Sequence, residues 1–186
     1  MKNLRTFVMA LTVGALPLAA TAADSQKIEY SAEGRLIPPE NYRQWVFLTS
    51  SLDLNYNAPV PGAPPSDHSQ LDNVFVDPAA YDVFVKTGTW PDKTIMVKEN
   101  RDTASAGSIS KSGKYQTAVV SLEFHVKDEA KFPGKWGFFG NGGSGPARFF
   151  PTTASCYSCH GDHGAVDTTF VQFYPAIAIG RSRLRG

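Results

Sequence analysis

The chain's two cysteines stand three residues apart, and a histidine follows the second: Cys156-Tyr157-Ser158-Cys159-His160. Few five-residue stretches demand so much of a fold. If both thiols and the imidazole are to meet one planar ligand, the segment around Ala154 to Gly161 has to form a helical turn that brings them to one side. The pattern is that of c-type haem attachment. Two thiols add across the two vinyl groups of one porphyrin, and the adjacent imidazole reaches the iron. The spacing therefore predicts one haem c, with Cys156, Cys159 and His160 as cofactor-binding residues and His160 as the metal ligand. A Cys156–Cys159 disulfide would close a very tight loop and stabilise little by chain entropy. A thioredoxin-like dithiol normally opens its domain beside a βαβ unit, whereas this motif lies near the carboxyl end.

The amino terminus agrees with that chemistry. Lys2 and Arg5 precede an apolar or small run from Thr6 to Ala20, and Ala20-Thr21-Ala22 has the small-residue character of a cleavage site. The run is shorter than the roughly 20 residues of a membrane span, and Gly14 and Pro17 interrupt it. Residues 1–23 are expected to be a signal peptide, and residues 24–186 a single exported domain without a membrane span, periplasmic in a bacterial host. The 186 residues are 42% hydrophobic and 19% charged, which fits one folded core and excludes a disordered chain. Eighteen basic against 17 acidic residues leave no cationic excess for nucleic acid.

Strand patterns dominate the mature chain. From Thr117 to Val126, Ala118, Val120, Leu122, Phe124 and Val126 fall on one face; Thr117, Ser121, Glu123 and His125 fall on the other, with Val119 as the exception. Trp45 to Leu48, Val74 to Val76 and Thr94 to Lys98 are further predicted strands. Asp77-Pro78 opens a short helix that carries Tyr81, Phe84 and Val85 and stops at Gly88. A second helix is expected from Pro39 and Glu40 through Tyr42 into Trp45. Asn57 to Gln70 and Gly134 to Pro151 are loop-like in composition, the latter with six glycines. The sum is an α+β domain, mostly antiparallel sheet with a few short helices.

The iron's other face decides function. Once the signal peptide is removed, Met96 is the one remaining methionine able to act as a sixth ligand. His163 is too close to His160 to cross the macrocycle and reads as a surface residue or a propionate neighbour. His68, in the proline-rich stretch, and His125, on a polar strand face, read as solvated side chains. An open iron position follows, and an open position binds a small molecule.

Beyond the haem motif, the chain resembles the cytochrome P-460 family, which also includes the c′-β cytochromes. The resemblance lies in Tyr42-Arg43-Gln44-Trp45-Val46, Asn73-Val74-Phe75-Val76-Asp77-Pro78, Lys86-Thr87-Gly88 with Trp90-Pro91-Asp92, Val97-Lys98-Glu99, Lys127-Asp128 with Lys131-Phe132-Pro133, and Gln172-Phe173-Tyr174-Pro175. It implies an antiparallel sheet, a homodimer and a five-coordinate haem on His160. In the namesake enzymes a lysine is bonded to a meso carbon of the haem and hydroxylamine is oxidised. Lys98 resembles that lysine by position, which makes it the candidate catalytic residue and a further cofactor-binding one. Read from its own strand, Lys98 shares a face with Met96, so either both approach the haem or both face solvent.

The family resemblance also implies a carboxylate over the open face, from the segment just before the cysteines. Phe132 to Ser155 contains no acid; it has Phe138, Phe139, Phe149 and Phe150, with Lys135 and Arg148 as its charges. The c′-β cytochromes resemble this in capping the haem with phenylalanines. The expectation is a periplasmic mono-haem c protein that binds hydroxylamine or a related small nitrogen oxide and passes electrons to a partner cytochrome. Hydroxylamine oxidation is its enzymatic reading, nitric oxide binding without turnover the alternative, and a His160/Met96 electron carrier the third.

Overall fold

The computed structural model describes residues 26–54, 69–105, 107 and 111–178. The expected signal peptide, His68 and nearly all of the Asn57–Gln70 stretch lie outside them, although Gln70 itself already begins a strand. A two-stranded hairpin, β1 (Glu29–Tyr30) and β2 (Leu36–Ile37), precedes a six-stranded antiparallel sheet. The sheet is a meander of β3 (Val46–Leu52), β4 (Gln70–Val76), β5 (Ile95–Ala104), β6 (Tyr115–Lys127), β7 (Trp136–Asn141) and β8 (Arg148–Phe149), each paired with the next. Helix α1 (Pro78–Thr87) links β4 to β5, and α2 (Ser155–His163) follows β8. The fold is α+β and mostly antiparallel, as the strand patterns require.

Helix α1 starts and stops where its sequence says. The Asp77 carboxylate accepts from the Ala80 amide at 3.0 Å, and Pro78 occupies the first turn. Gly88, at φ 80°, donates its amide to the Phe84 carbonyl at 2.7 Å. The helix expected from Pro39 to Trp45 is a single 3-10 turn, Tyr42–Gln44. Tertiary bonding overrides local helix preference here. The Tyr42 hydroxyl and both Arg43 and Arg101 converge on the buried carboxylate of Glu99.

Both faces of the sheet are covered. On one, Ile95, Val97, Leu122, Phe124, Val126 and Phe139 pack against Leu36, Tyr42, Trp45, Phe132 and Ala147. On the other, Val76, Met96 and Trp136 pack against Ala80 and Phe84 of α1, Trp90, and Tyr174 and Ile177 near the carboxyl end. The alternation along β6 is corrected at one point. Asn100 opposes Ser121 but Arg101 opposes Val119, so a bulge at Val120 inverts the faces there, and a second register shift follows between Arg101 and Thr103. Val119 packs on the core, while Ala118 and Val120 are exposed.

The glycine-rich stretch Gly134–Pro151 is also corrected, because it contains β7 and β8. Two of its glycines make room for rings. A Cβ on Gly137 would meet the Phe132 ring at 2.7 Å, and one on Gly140 would meet the Phe150 ring at 2.6 Å. These glycines serve close packing within a strand.

Candidate functional site

Antiparallel register builds the floor of the site. On the α1 side of the sheet, Val76, Met96, His125 and Phe138 form one cross-strand row, and Val74, Lys98, Glu123 and Gly140 form the next. Ser51, Asp72 and Asn100 begin a third. A cavity of about 990 Å³, counted out to its open mouth, lies over these rows. Cys156 and His160 of α2 and Phe170, Phe173 and Tyr174 of the following segment complete its walls.

On α2, Cys156 and Cys159 are one helical turn apart and both are free thiols, half-buried. Cys156 lines the cavity; Cys159 does not. Burial raises the Cys156 thiol above its ordinary value. His160 also faces the cavity, with its ring 4.4 Å from Phe170 and 4.6 Å from Phe138. Its Nδ1 lies 2.7 Å from the Thr168 carbonyl. A carbonyl only accepts, so Nδ1 carries the hydrogen and Nε2 keeps its lone pair. Burial lowers the ring's pKa below the ordinary histidine value, which keeps that lone pair available near neutral pH.

Thr168 belongs to a tight turn, Val166–Thr169, closed by the Thr169 amide on the Val166 carbonyl at 2.8 Å. Asp167 and Thr168 have φ of 49° and 58°, the left-handed signs of a type I′ turn. For a β-branched residue such a φ is rare, costing about 1–3 kcal/mol. Gly164 lets this turn approach α2, because a Cβ there would stand 2.6 Å from the His160 carbonyl and 2.7 Å from Thr168.

Met96 and Lys98 both line the cavity, Met96 buried and Lys98 half-buried. The Lys98 ammonium lies 3.5 Å from Asp72 and 3.5 Å from Glu123. The acid-free stretch from Phe132 to Ser155 thus does not leave the cavity without carboxylates: β4 and β6 supply two. Sequence reading missed both because they lie far along the chain, although Glu123 shares its strand face with His125. Burial raises the Asp72 carboxyl, and Lys98 opposes that only in part.

His125 is the clearest displacement from expectation. It is 8% exposed, not solvated. Its ring stacks on Phe138 at 4.0 Å and 13° and stands 5.0 Å edge-on to His160. Burial first, and His160 second, push its pKa well down. The polar face of β6 points at a site and is sealed by aromatic rings. His163 is exposed at the end of α2 and lines no part of the cavity. Of the four phenylalanines, Phe138, Phe139 and Phe150 line the cavity. Phe139 is also fully buried core, and Phe149 stacks outside on Phe132.

One imidazole with a free Nε2, a thiol of the paired motif and an aromatic wall on one cavity fit a haem. The family model of cytochrome P460 matches residues 39–171. The chain belongs to the cytochrome P460 family. No curated protein matches it. As a family member it is a haem cytochrome, and the matched span runs from just before the Tyr42–Glu99 contact to just past Phe170. Phe173 and Tyr174, which close the cavity, follow it.

Proposed function

We propose that this cytochrome P460 protein is an exported mono-haem c enzyme that oxidises hydroxylamine. The reading rests on one observation: His160 and Cys156 share a cavity with Lys98 flanked by Asp72 and Glu123. Cys156 and Cys159 would hold the porphyrin as thioethers, each S–H adding across a vinyl group with no net oxidation. His160 Nε2 would bind the iron. The bound haem supplies an open coordination position and accepts electrons. Oxidising hydroxylamine to the nitroxyl level releases two electrons and two protons. Asp72 and Glu123 accept protons, and the electrons pass to a partner cytochrome. Phe138 and Phe150 keep water away. Lys98 would be the side chain that bonds to the macrocycle, replacing one N–H and one C–H by a C–N bond, a two-electron oxidation that would need an external oxidant of the peroxide class. Export to the periplasm, without a retained membrane span, and a homodimeric state complete the proposal. Among the described residues, no helix is long and apolar enough to cross a membrane.

The test is to produce the chain with haem c maturation and measure hydroxylamine-dependent reduction of an electron acceptor. One non-extractable haem per chain, a high-spin ferric spectrum and turnover that falls about 100-fold in Glu123→Gln are expected. A nitric oxide adduct without turnover identifies a binding protein instead. A low-spin spectrum that becomes high-spin in Met96→Leu identifies an electron carrier.

A further inference from the structure

The carbonyl that fixes His160 sits in a turn whose sequence does not favour it. Type I′ turns prefer Asn-Gly at the two left-handed positions, and here those positions hold Asp167 and Thr168. Something else has to stabilise them. Asp167 accepts from the Lys127 ammonium at 3.2 Å and from the Trp90 amide at 3.3 Å. Lys127, whose side chain is 6% exposed, also donates to the Trp90 carbonyl at 2.7 Å and lies 3.6 Å from Glu129. On the other flank of the turn, the Trp90 indole donates to the Thr169 hydroxyl at 2.9 Å, and that hydroxyl donates to the Val166 carbonyl at 2.6 Å. Trp90 and Thr169 are both essentially inaccessible to solvent. The turn is thus gripped on both sides of Thr168, from residues remote in sequence.

We propose that Lys127, Asp167, Trp90 and Thr169 form a clamp that holds the Asp167–Thr168 turn in its left-handed conformation and so aims the Thr168 carbonyl at His160 Nδ1. Lys127 and Asp167 are positioning residues: they line no part of the cavity, and they act through Thr168. A hydrogen bond from Nδ1–H to a carbonyl raises the basicity of Nε2, so the clamp sets the strength of the axial ligand. The inference rests on His160 being that ligand.

The experiment compares four haem-loaded proteins by the ferrous iron–histidine stretching band and by the reduction potential: the natural chain, Lys127→Met, a background carrying Asp167→Asn with Thr168→Gly, and Lys127→Met in that background. The background supplies the Asn-Gly sequence that adopts the turn unaided. Lys127→Met alone is expected to lower the band frequency and raise the potential, with haem content per chain unchanged as the folding control. In the Asn-Gly background Lys127→Met is expected to move neither. An unshifted band in Lys127→Met, or an equal shift in both backgrounds, would overturn the clamp. The natural protein lacking any iron–histidine band would instead overturn the assignment of His160.

Discussion

Lys98 and Glu99 are neighbours with opposite destinies. One faces the cavity; the other is 2% exposed beneath the 3-10 turn. Burial alone would raise the Glu99 carboxyl, but hydrogen bonds from Arg101, Tyr42 and Arg43 outweigh it and hold it below the ordinary glutamate value. The unfolded chain therefore takes up this proton first as the pH falls. The stabilisation is complete above about pH 4.3 and disappears as the pH drops through the lower folded-state value. Glu99→Gln is expected to cost about 2–4 kcal/mol at pH 7, read from urea denaturation, with the loss shrinking as the pH falls. Lys98 is testable by mass. The haem peptide of the natural protein is expected to contain the Lys98 segment, and that of Lys98→Arg to lack it. Strand alternation shows that the two side chains part company, but it cannot say which side carries the chemistry.

At the scale of elements, what was legible depended on whether a signal was local. Helix α1 has its N-cap, Pro78 and Gly88 within one short stretch, and its ends are where they were expected. Asp77→Ala is expected to cost about 1 kcal/mol by thermal melting. The glycines of β7 misled because their reason lies across the fold. Gly137 faces the buried Phe132 ring, which stacks on Phe149 at 5.6 Å. Gly137→Ala is expected to destabilise by about 1–3 kcal/mol through overpacking. In Gly140→Ala the contact is with the far end of Phe150, which lines the cavity. That variant is expected to shift the haem absorption bands with a smaller loss of stability. The β6 bulge was equally hidden, because it is a property of pairing with β5.

For the whole molecule, the cavity lies between two unlike partners. Its floor is the central sheet, whereas α2 contains no fully buried residue. A helix with no fully buried side chain depends on what it docks against. In haem-free protein, amide hydrogens of Ser155–His163 are expected to exchange at least tenfold faster than those of β5 and β6, and to slow on haem attachment. Mass spectrometry of exchange-labelled peptides measures both. Equal rates in the two forms would mean that α2 is held by protein contacts alone.

The sequence by itself determined the paired-cysteine motif with its histidine, the helical turn that presents it, the caps of α1 and the alternation of β6 from Ser121 to Val126, because each depends on residues within a few positions of one another. Only the tertiary structure decided that Asp72, Lys98 and Glu123 meet in one cavity, that His125 is sealed beside His160, and that a strained turn clamped from Lys127 and Trp90 reaches the imidazole. Those arrangements follow from strand register and from packing across the sheet, and distance along the chain does not encode them.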